Sequence, residues 1–120
     1  MGHNLDGHQP WMTVVETGAF MSAAKACMTE AERQEAIAMI TDNPECGDLI
    51  PGGGGIHKVR FAIGGQGKSG GVRIIYYYHD QSVPLFLLTV FAKNESSNLA
   101  MAELNQLAVA AKLLARKYGE

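Results

Sequence analysis

Two runs of β-branched and aromatic residues flank a glycine-rich segment in the middle of this chain, between Ile56 and Tyr78. Residues of these kinds favour strands, and two such runs joined by glycines are typical of neighbouring strands and their connection. Basic residues alternate with others in the first run, so Lys58 and Arg60 should share one face of its strand. The segment constrains the fold most, because it predicts two adjacent strands that carry positive charge.

Further strands are expected on both sides of this pair. A short run over residues 11–16 is rich in β-formers and predicts an edge strand. Residues 56–63 and 72–79 form the pair itself, and residues 85–92 are apolar enough for a central strand. The short connection at residues 80–84 predicts that the last two strands are antiparallel neighbours.

Three helices complete the predicted order of elements. Apolar residues recur at helical spacing over residues 20–28 and again over 101–114. Thr29 and Glu32 form a capping signature for a helix that should end near Thr41. The predicted order is therefore β, α, α, three consecutive strands and α, with the first two helices laid as a hairpin on a sheet.

A chain of 120 residues fits a single domain, here residues 11–120. Cys27 and Cys46 are far apart and outside metal-binding spacing, so we expect reduced thiols. No apolar run reaches the roughly 20 residues of a membrane span, and the N-terminus lacks a signal-peptide pattern, which predicts a cytoplasmic protein. Residues 1–10 are polar and aperiodic and are interpreted as a flexible lead or a cloning remnant.

Positive charge is concentrated in one part of the sequence. The net charge is −2, yet residues 51–79 contain Lys58, Arg60, Lys68 and Arg73 and not one Asp or Glu. Because electrostatic binding depends on the local potential, a basic face can attract a polyanion even on an acidic protein. Converging cations without carboxylate partners repel one another, so the pattern favours an anion site, with RNA as the leading ligand.

Other kinds of site are disfavoured. Residues 62–69, AIGGQGKS, match a relaxed phosphate-binding loop, but a strand-like run follows where such a loop requires a helix. His57 and His79 have no second ligand at metal spacing, so neither a metal nor a cofactor is expected. No Ser-His-Asp or Cys-His arrangement points to a hydrolase of those classes.

Three consecutive tyrosines could stack on bases, as aromatic residues do in sites for single-stranded RNA. Alternation places Tyr76 and Tyr78 on one face of their strand and Tyr77 on the other. At least one of these two sets should belong to the core. Tyr78 is retained as a candidate for RNA binding.

Three segments together resemble the RelE/ParE superfamily of bacterial toxins, and specifically its HigB-like RelE branch from type II toxin–antitoxin modules. The segments are NPECGDLIPGGGGIHKVRF, GQGKSGGVRIIYYY and LLTVFAKNE, and the likeness extends from about Thr13 to Leu107. The resemblance implies an α+β fold in which two N-terminal helices pack on a twisted antiparallel sheet, with a C-terminal helix. It also implies a metal-independent endoribonuclease that cuts mRNA on the ribosome, in which the 2′-hydroxyl attacks the adjacent phosphate and leaves a cyclic phosphate.

Carried over position by position, the resemblance assigns roles to basic residues. Arg73 would stabilise the transition state, and Lys58 or Lys68 would supply a base or a positive charge. The full set is catalytic Lys58, Arg60, Lys68, Arg73 and Lys93, and RNA-binding Lys58, Arg60, Lys68, Tyr78, Lys93 and Asn94. The implied partners are the ribosome, mRNA and a cognate antitoxin with a helix-turn-helix DNA-binding domain, and no membrane.

Two departures from the family pattern leave alternatives open. Asn98-Leu99-Ala100 stands where some relatives place a tyrosine, and this chain is acidic overall whereas many relatives are basic. One alternative is a ParE-like inhibitor of DNA gyrase without nuclease activity, and another is a catalytically degenerate module that binds antitoxin. The clustered cations favour the nuclease, because a gyrase inhibitor need not align cations around a phosphate.

Overall fold

The computed structural model describes residues 13–64, 71–92 and 101–119. Within these ranges the elements are β1 (Val14–Glu16), α1 (Gly18–Cys27), α2 (Glu30–Asp42), β2 (Asp48–Leu49), β3 (Ile56–Phe61), β4 (Val72–Tyr77), β5 (Leu85–Ala92) and α3 (Met101–Gly119). The predicted helices and long strands are all present. β2 lies in a segment for which no strand was predicted, and the predicted lead, residues 1–10, lies outside the described residues.

The strands form one sheet in the order β1-β5-β4-β3-β2. The pairs from β2 to β5 are antiparallel, whereas β1 joins β5 in parallel. Thr17 fixes the end of β1 on the sheet, because its hydroxyl donates to the Leu87 carbonyl at 2.9 Å and accepts from the Phe20 amide at 3.1 Å. The strand from the N-terminal segment is at an edge and β5 is internal, as the sequence predicted.

One face of the sheet packs against α1 and α2. Their buried residues Phe20, Ala24, Ala36 and Ile40 meet a set of strand residues that includes Val59, Ile74, Tyr76 and Leu87. Each helix begins at a threonine cap, and Thr29 and Glu32 form the reciprocal capping box that their spacing predicted. We call this side of the sheet the helix-hairpin face.

The other face packs against α3. Its buried alanines, Ala108, Ala111 and Ala115, contact a cluster with Ile56, Ile75, Tyr77, Phe86, Leu88 and Phe91. We call this side the α3 face. The α+β architecture with a helix hairpin on the sheet and a C-terminal helix is confirmed, and the structure adds that the two helical layers lie on opposite faces. None of the described helices combines the length and apolarity needed to cross a membrane.

Candidate functional site: a basic patch on the α3 face

The structure brings three of the predicted cations together on the α3 face. In the β3–β4 register Lys58 lies opposite Ile75, and Arg60 lies directly opposite Arg73. Residues that face each other across an antiparallel pair share one side of the sheet, and Ile75 belongs to the core under α3. Lys58, Arg60 and Arg73 therefore form a contiguous group, here called the basic patch.

The side chains of the basic patch remain partly or fully accessible. Arg60 is exposed, and Lys58 and Arg73 are half-buried. Within the described ranges, neither Lys58 nor Arg60 makes an ion pair. The Arg73 guanidinium donates a 3.4 Å hydrogen bond through Nη1 to the Val72 carbonyl. Like charges directly opposite each other destabilise a strand pair, so this arrangement is suited to an external anion.

Glycine makes the close pairing of the two basic strands possible. A Cβ on Gly71 would lie 2.1 Å from the Phe61 carbonyl oxygen, well inside any tolerable contact. On the other side of the connection, shortly after β3 ends, Gly64 has a φ of 55° and its amide donates a 3.0 Å hydrogen bond to the Glu32 carboxylate. The glycines of the predicted connection thus set where β3 ends and where β4 begins beside Arg73.

Tyr76 is a core residue on the helix-hairpin face. It is fully buried, and its ring stacks on His57 with centroids 5.0 Å apart. Its hydroxyl donates to the Pro44 carbonyl at 2.7 Å and accepts from the Gly47 amide at 3.1 Å. Burial, above all, raises the pKa of Tyr76 above its usual value, so the phenol keeps its proton and remains a hydrogen-bond donor at neutral pH.

Tyr78 is not brought together with the basic patch. It packs at the edge of the helix-hairpin core and meets the His57 ring edge-on, with centroids 6.4 Å apart. Alternation along β4 places Arg73 on the opposite side of the sheet. A ribonucleotide held on the α3 face by the three cations would therefore not stack on Tyr78.

Two residues that the sequence did not connect with the site lie beside β3: Asp48 next to the basic patch, and Lys112 near the start of the strand, away from Arg60. β2 pairs with β3 so that Asp48 lies directly opposite Lys58, which places a carboxylate on the same face. From α3, the Lys112 ammonium lies 3.1 Å from the point where a Cβ on Gly54 would stand. Asp48 lies in the segment NPECGDLIPGGGGIHKVRF that carried the family resemblance, but its spacing did not show which strand it would join.

Three of the predicted site residues, Lys68, Lys93 and Asn94, lie outside the described residues. Among the residues that are described, no three His, Cys, Asp or Glu side chains are grouped so that they could hold a metal ion. The described side chains of the site are mainly cationic. They are two guanidinium groups and an ammonium group on adjacent strands, with one carboxylate at the border of the patch. Such a set can bind a phosphodiester and stabilise additional negative charge on it.

Known proteins share the sequence pattern and the fold of this chain. Residues 12–119 match the family described as the RelE toxin of the RelE/RelB toxin–antitoxin system. Among solved structures, a double mutant of the E. coli toxin RelE in the free state is similar in fold, with a TM-score of 0.56 and 16% sequence identity. The alignment covers 85% of this chain and 98% of that toxin.

Proposed function

The chain belongs to the RelE toxin family of toxin–antitoxin systems, and we propose that it is an endoribonuclease that cleaves mRNA on the ribosome. The 2′-hydroxyl of one nucleotide would attack the adjacent phosphate and leave a cyclic phosphate. This reaction requires proton transfer at the attacking and leaving oxygens and stabilisation of a phosphorane-like transition state.

The observation that carries this proposal is the register between β3 and β4. It sets Arg60 opposite Arg73 and puts Lys58 on the same face, one pleat away from Arg60. A strand pair that served only folding would gain from an opposite charge or an apolar residue at one of these positions. The side chains present instead suit a phosphodiester, because guanidinium groups bind phosphate oxygens in a bidentate manner and lysine supplies a compact charge.

The proposed roles follow from these positions. Arg73, half-buried next to the close approach of Gly71 to Phe61, stabilises the charge that develops on the phosphate. Arg60, which is exposed, binds the substrate backbone, and Lys58 provides positive charge next to the scissile group. Lys68, Lys93 and Asn94 are assigned to RNA binding, with Lys68 and Lys93 also contributing to catalysis.

The proposed biological setting is a cytoplasmic, HigB-like toxin paired with its antitoxin. The family is defined by such toxin–antitoxin pairs. We assign to the antitoxin a helix-turn-helix DNA-binding domain and a surface that covers the basic patch or blocks entry into the ribosome. Inhibition by either route would fit a patch that is accessible in the isolated toxin.

The test is a cleavage assay on defined ribosome complexes that carry end-labelled mRNA, comparing the parent with Arg73→Ala. Loss of one transition-state donor typically lowers the rate about 100-fold or more. Circular dichroism and a urea titration establish that the variant is folded. A variant at Lys25, an exposed residue of α1, provides the matched loss of a cation away from the α3 face.

Cleavage that needs ribosomes, persists in Lys25→Ala and is lost in Arg73→Ala is the expected result. Absence of cleavage by the parent would overturn the proposal, and a supercoiling assay with DNA gyrase would then test the other activity that this superfamily suggested. Full activity in a folded Arg73→Ala protein would refute the role of Arg73 while leaving the nuclease activity intact.

A further inference from the structure

We infer that Asp48 is the group that accepts the proton of the attacking 2′-hydroxyl. This inference rests on the proposed nuclease function and adds a carboxylate to a site that the sequence described as purely cationic. The basic patch alone lacks a proton acceptor, because lysine ammonium and arginine guanidinium groups are donors only. A carboxylate at neutral pH is an acceptor only, and it can serve as a general base.

The position of Asp48 follows from strand pairing. Asp48 lies opposite Lys58 in the β2–β3 register, so the Cβ atoms of the pair are about 5 Å apart on the α3 face. Among the residues within the strands β2, β3, β4 and β5 themselves, Asp48 is the one acidic residue, and it is exposed. Within the described ranges its carboxylate makes no ion pair, so it is accessible to a substrate hydroxyl.

The separation from Arg73 is appropriate for a bound phosphodiester. Asp48 and Arg73 are two strands apart and offset by two residues, so their Cα atoms lie roughly 12 Å from each other, given a strand spacing of about 4.8 Å. The short aspartate and the long arginine can approach one nucleotide step from opposite sides. Lys58 lies between them and can neutralise charge on the same phosphate.

Contacts with the sheet hold the segment before Asp48 in place. Gly47 approaches so closely that a Cβ there would lie 2.9 Å from the Lys58 carbonyl oxygen and 3.0 Å from the Tyr76 hydroxyl. The Tyr76 hydroxyl bonds both to Pro44 and to Gly47. The Cys46 amide also closes a turn onto the Asn43 carbonyl at 2.9 Å. The segment before Asp48 is therefore anchored to the sheet at several points.

The reaction balances with this assignment. The 2′ oxygen forms a bond to phosphorus while its proton passes to the Asp48 carboxylate. The bond between phosphorus and the 5′ oxygen breaks, and its electron pair remains on that oxygen, which takes a proton from water. Asp48 then returns its proton to solvent, so the products are a 2′,3′-cyclic phosphate and a 5′-hydroxyl.

The experiment compares single-turnover cleavage by the parent, Asp48→Asn, Asp48→Ala and Glu45→Gln on ribosome complexes with bound mRNA. Glu45 is an exposed carboxylate three residues away, so it controls for the loss of one negative charge in this segment. Loss of a general base should slow cleavage by about 100-fold or more in both Asp48 variants, with Glu45→Gln unchanged. Toxin affinity for the ribosome complex should not fall, because a negative charge facing a polyanion has been removed. Added formate should partly restore the rate of Asp48→Ala.

A merely structural or electrostatic Asp48 would give a different pattern. Asp48→Asn would then cleave at the parental rate or faster, and formate would have no effect on Asp48→Ala; either result overturns the inference while the nuclease function stands. Absence of cleavage by the parent itself overturns the proposed function and this inference together. Urea titrations of both variants distinguish lost chemistry from lost folding.

Discussion

The two faces of the sheet use their polar groups in opposite ways. On the helix-hairpin face, the buried Tyr76 hydroxyl has three hydrogen-bond partners, Pro44, Gly47 and Cys46, and the Thr17 hydroxyl bonds to the neighbouring strand. On the α3 face, Lys58, Arg60 and Arg73 stand together on adjacent strands, with like charges opposite each other. Satisfied polar groups stabilise a fold, whereas clustered like charges cost stability and are retained where a ligand needs them. The polar groups of the helix-hairpin face therefore serve folding, whereas those of the α3 face serve binding.

We expect the largest loss of stability from a substitution that disrupts the β3–β4 pair, because this pair contributes to both faces of the sheet. Gly71→Ala places a methyl group 2.1 Å from the Phe61 carbonyl oxygen, which either pushes β4 away from β3 or distorts both strands. We expect a loss of about 3 kcal/mol in the free energy of unfolding, together with loss of cleavage. Urea titration measures the first quantity.

The matched control is Gly18→Ala at the exposed start of α1, where nothing lies within 4 Å of an added Cβ. Its free energy of unfolding should rise by about 0.5 kcal/mol, because alanine restricts the unfolded chain. Equal effects of the two substitutions would mean that the tight pairing next to Arg73 is not required.

Removing the Tyr76 hydroxyl tests the claim that polar groups on the helix-hairpin face serve folding. Tyr76→Phe keeps the ring but leaves the Pro44 carbonyl and Gly47 amide without their partner, so we expect a loss of about 2 kcal/mol in the free energy of unfolding. Tyr77→Phe, on the α3 face, is the control. Its hydroxyl has no hydrogen bond to the rest of the described chain, and its removal should be nearly neutral.

Because of Tyr76, the free energy of unfolding of the parent should depend on pH in the alkaline range. The folded pKa of Tyr76 is raised, chiefly by burial, above the ordinary value of about 10, so its contribution is intact below pH 10 and is lost as pH rises toward the raised pKa. Urea titrations at pH 8 and pH 11 should therefore show a smaller decline in Tyr76→Phe than in the parent. An identical decline in both proteins would contradict this account of Tyr76.

Neutralising a cation tests the opposite behaviour of the α3 face. Arg60→Gln removes one of two like charges that face each other across the β3–β4 pair. The free energy of unfolding should rise by about 0.5 kcal/mol while cleavage falls, a combination that residues serving only the fold do not show. If Arg60→Gln were less stable than the parent and fully active, Arg60 would serve folding and not binding, contrary to the assignment of the α3 face.

The smallest effect on stability is expected in the exposed first turn of α2, at Glu30. Hydrogen bonds from Arg33, and then from Gln34, lower the pKa of Glu30 to about 2. A lowered carboxylate pKa contributes stability above about pH 4.5 that is lost as pH falls toward 2. Acid titration of Glu30→Gln should show a weaker decline in the free energy of unfolding than the parent over this range.

Much of the architecture could be predicted because the periodic patterns are long. β5 was predicted with the bounds that the structure has, and the Thr29–Glu32 capping box marked the start of α2. β2 was missed because two residues carry no period, and the parallel pairing of β1 depends on tertiary contacts such as that of Thr17.

The site was predictable only in part. Alternation correctly indicated that Lys58 and Arg60 share a face, and the register was needed to show that Arg73 joins them. The pairing of Asp48 with Lys58 depends on an anchored turn at Gly47, a long-range contact that has no periodic signature. Tyr78 was a candidate because aromatic residues stack on bases, and the pleat places it on the face away from the cations.

The most direct test of the difference between the faces compares two lysine truncations in the ribosome cleavage assay. Lys58→Ala removes an ammonium group from the basic patch, and Lys25→Ala removes one from α1 on the helix-hairpin side. We predict at least a tenfold loss of cleavage rate for Lys58→Ala, no loss for Lys25→Ala, and similar urea midpoints for both, since a transition-state charge contact is worth more than about 1.4 kcal/mol. Equal rates in the two folded variants would contradict the claim that the α3 face is the catalytic surface.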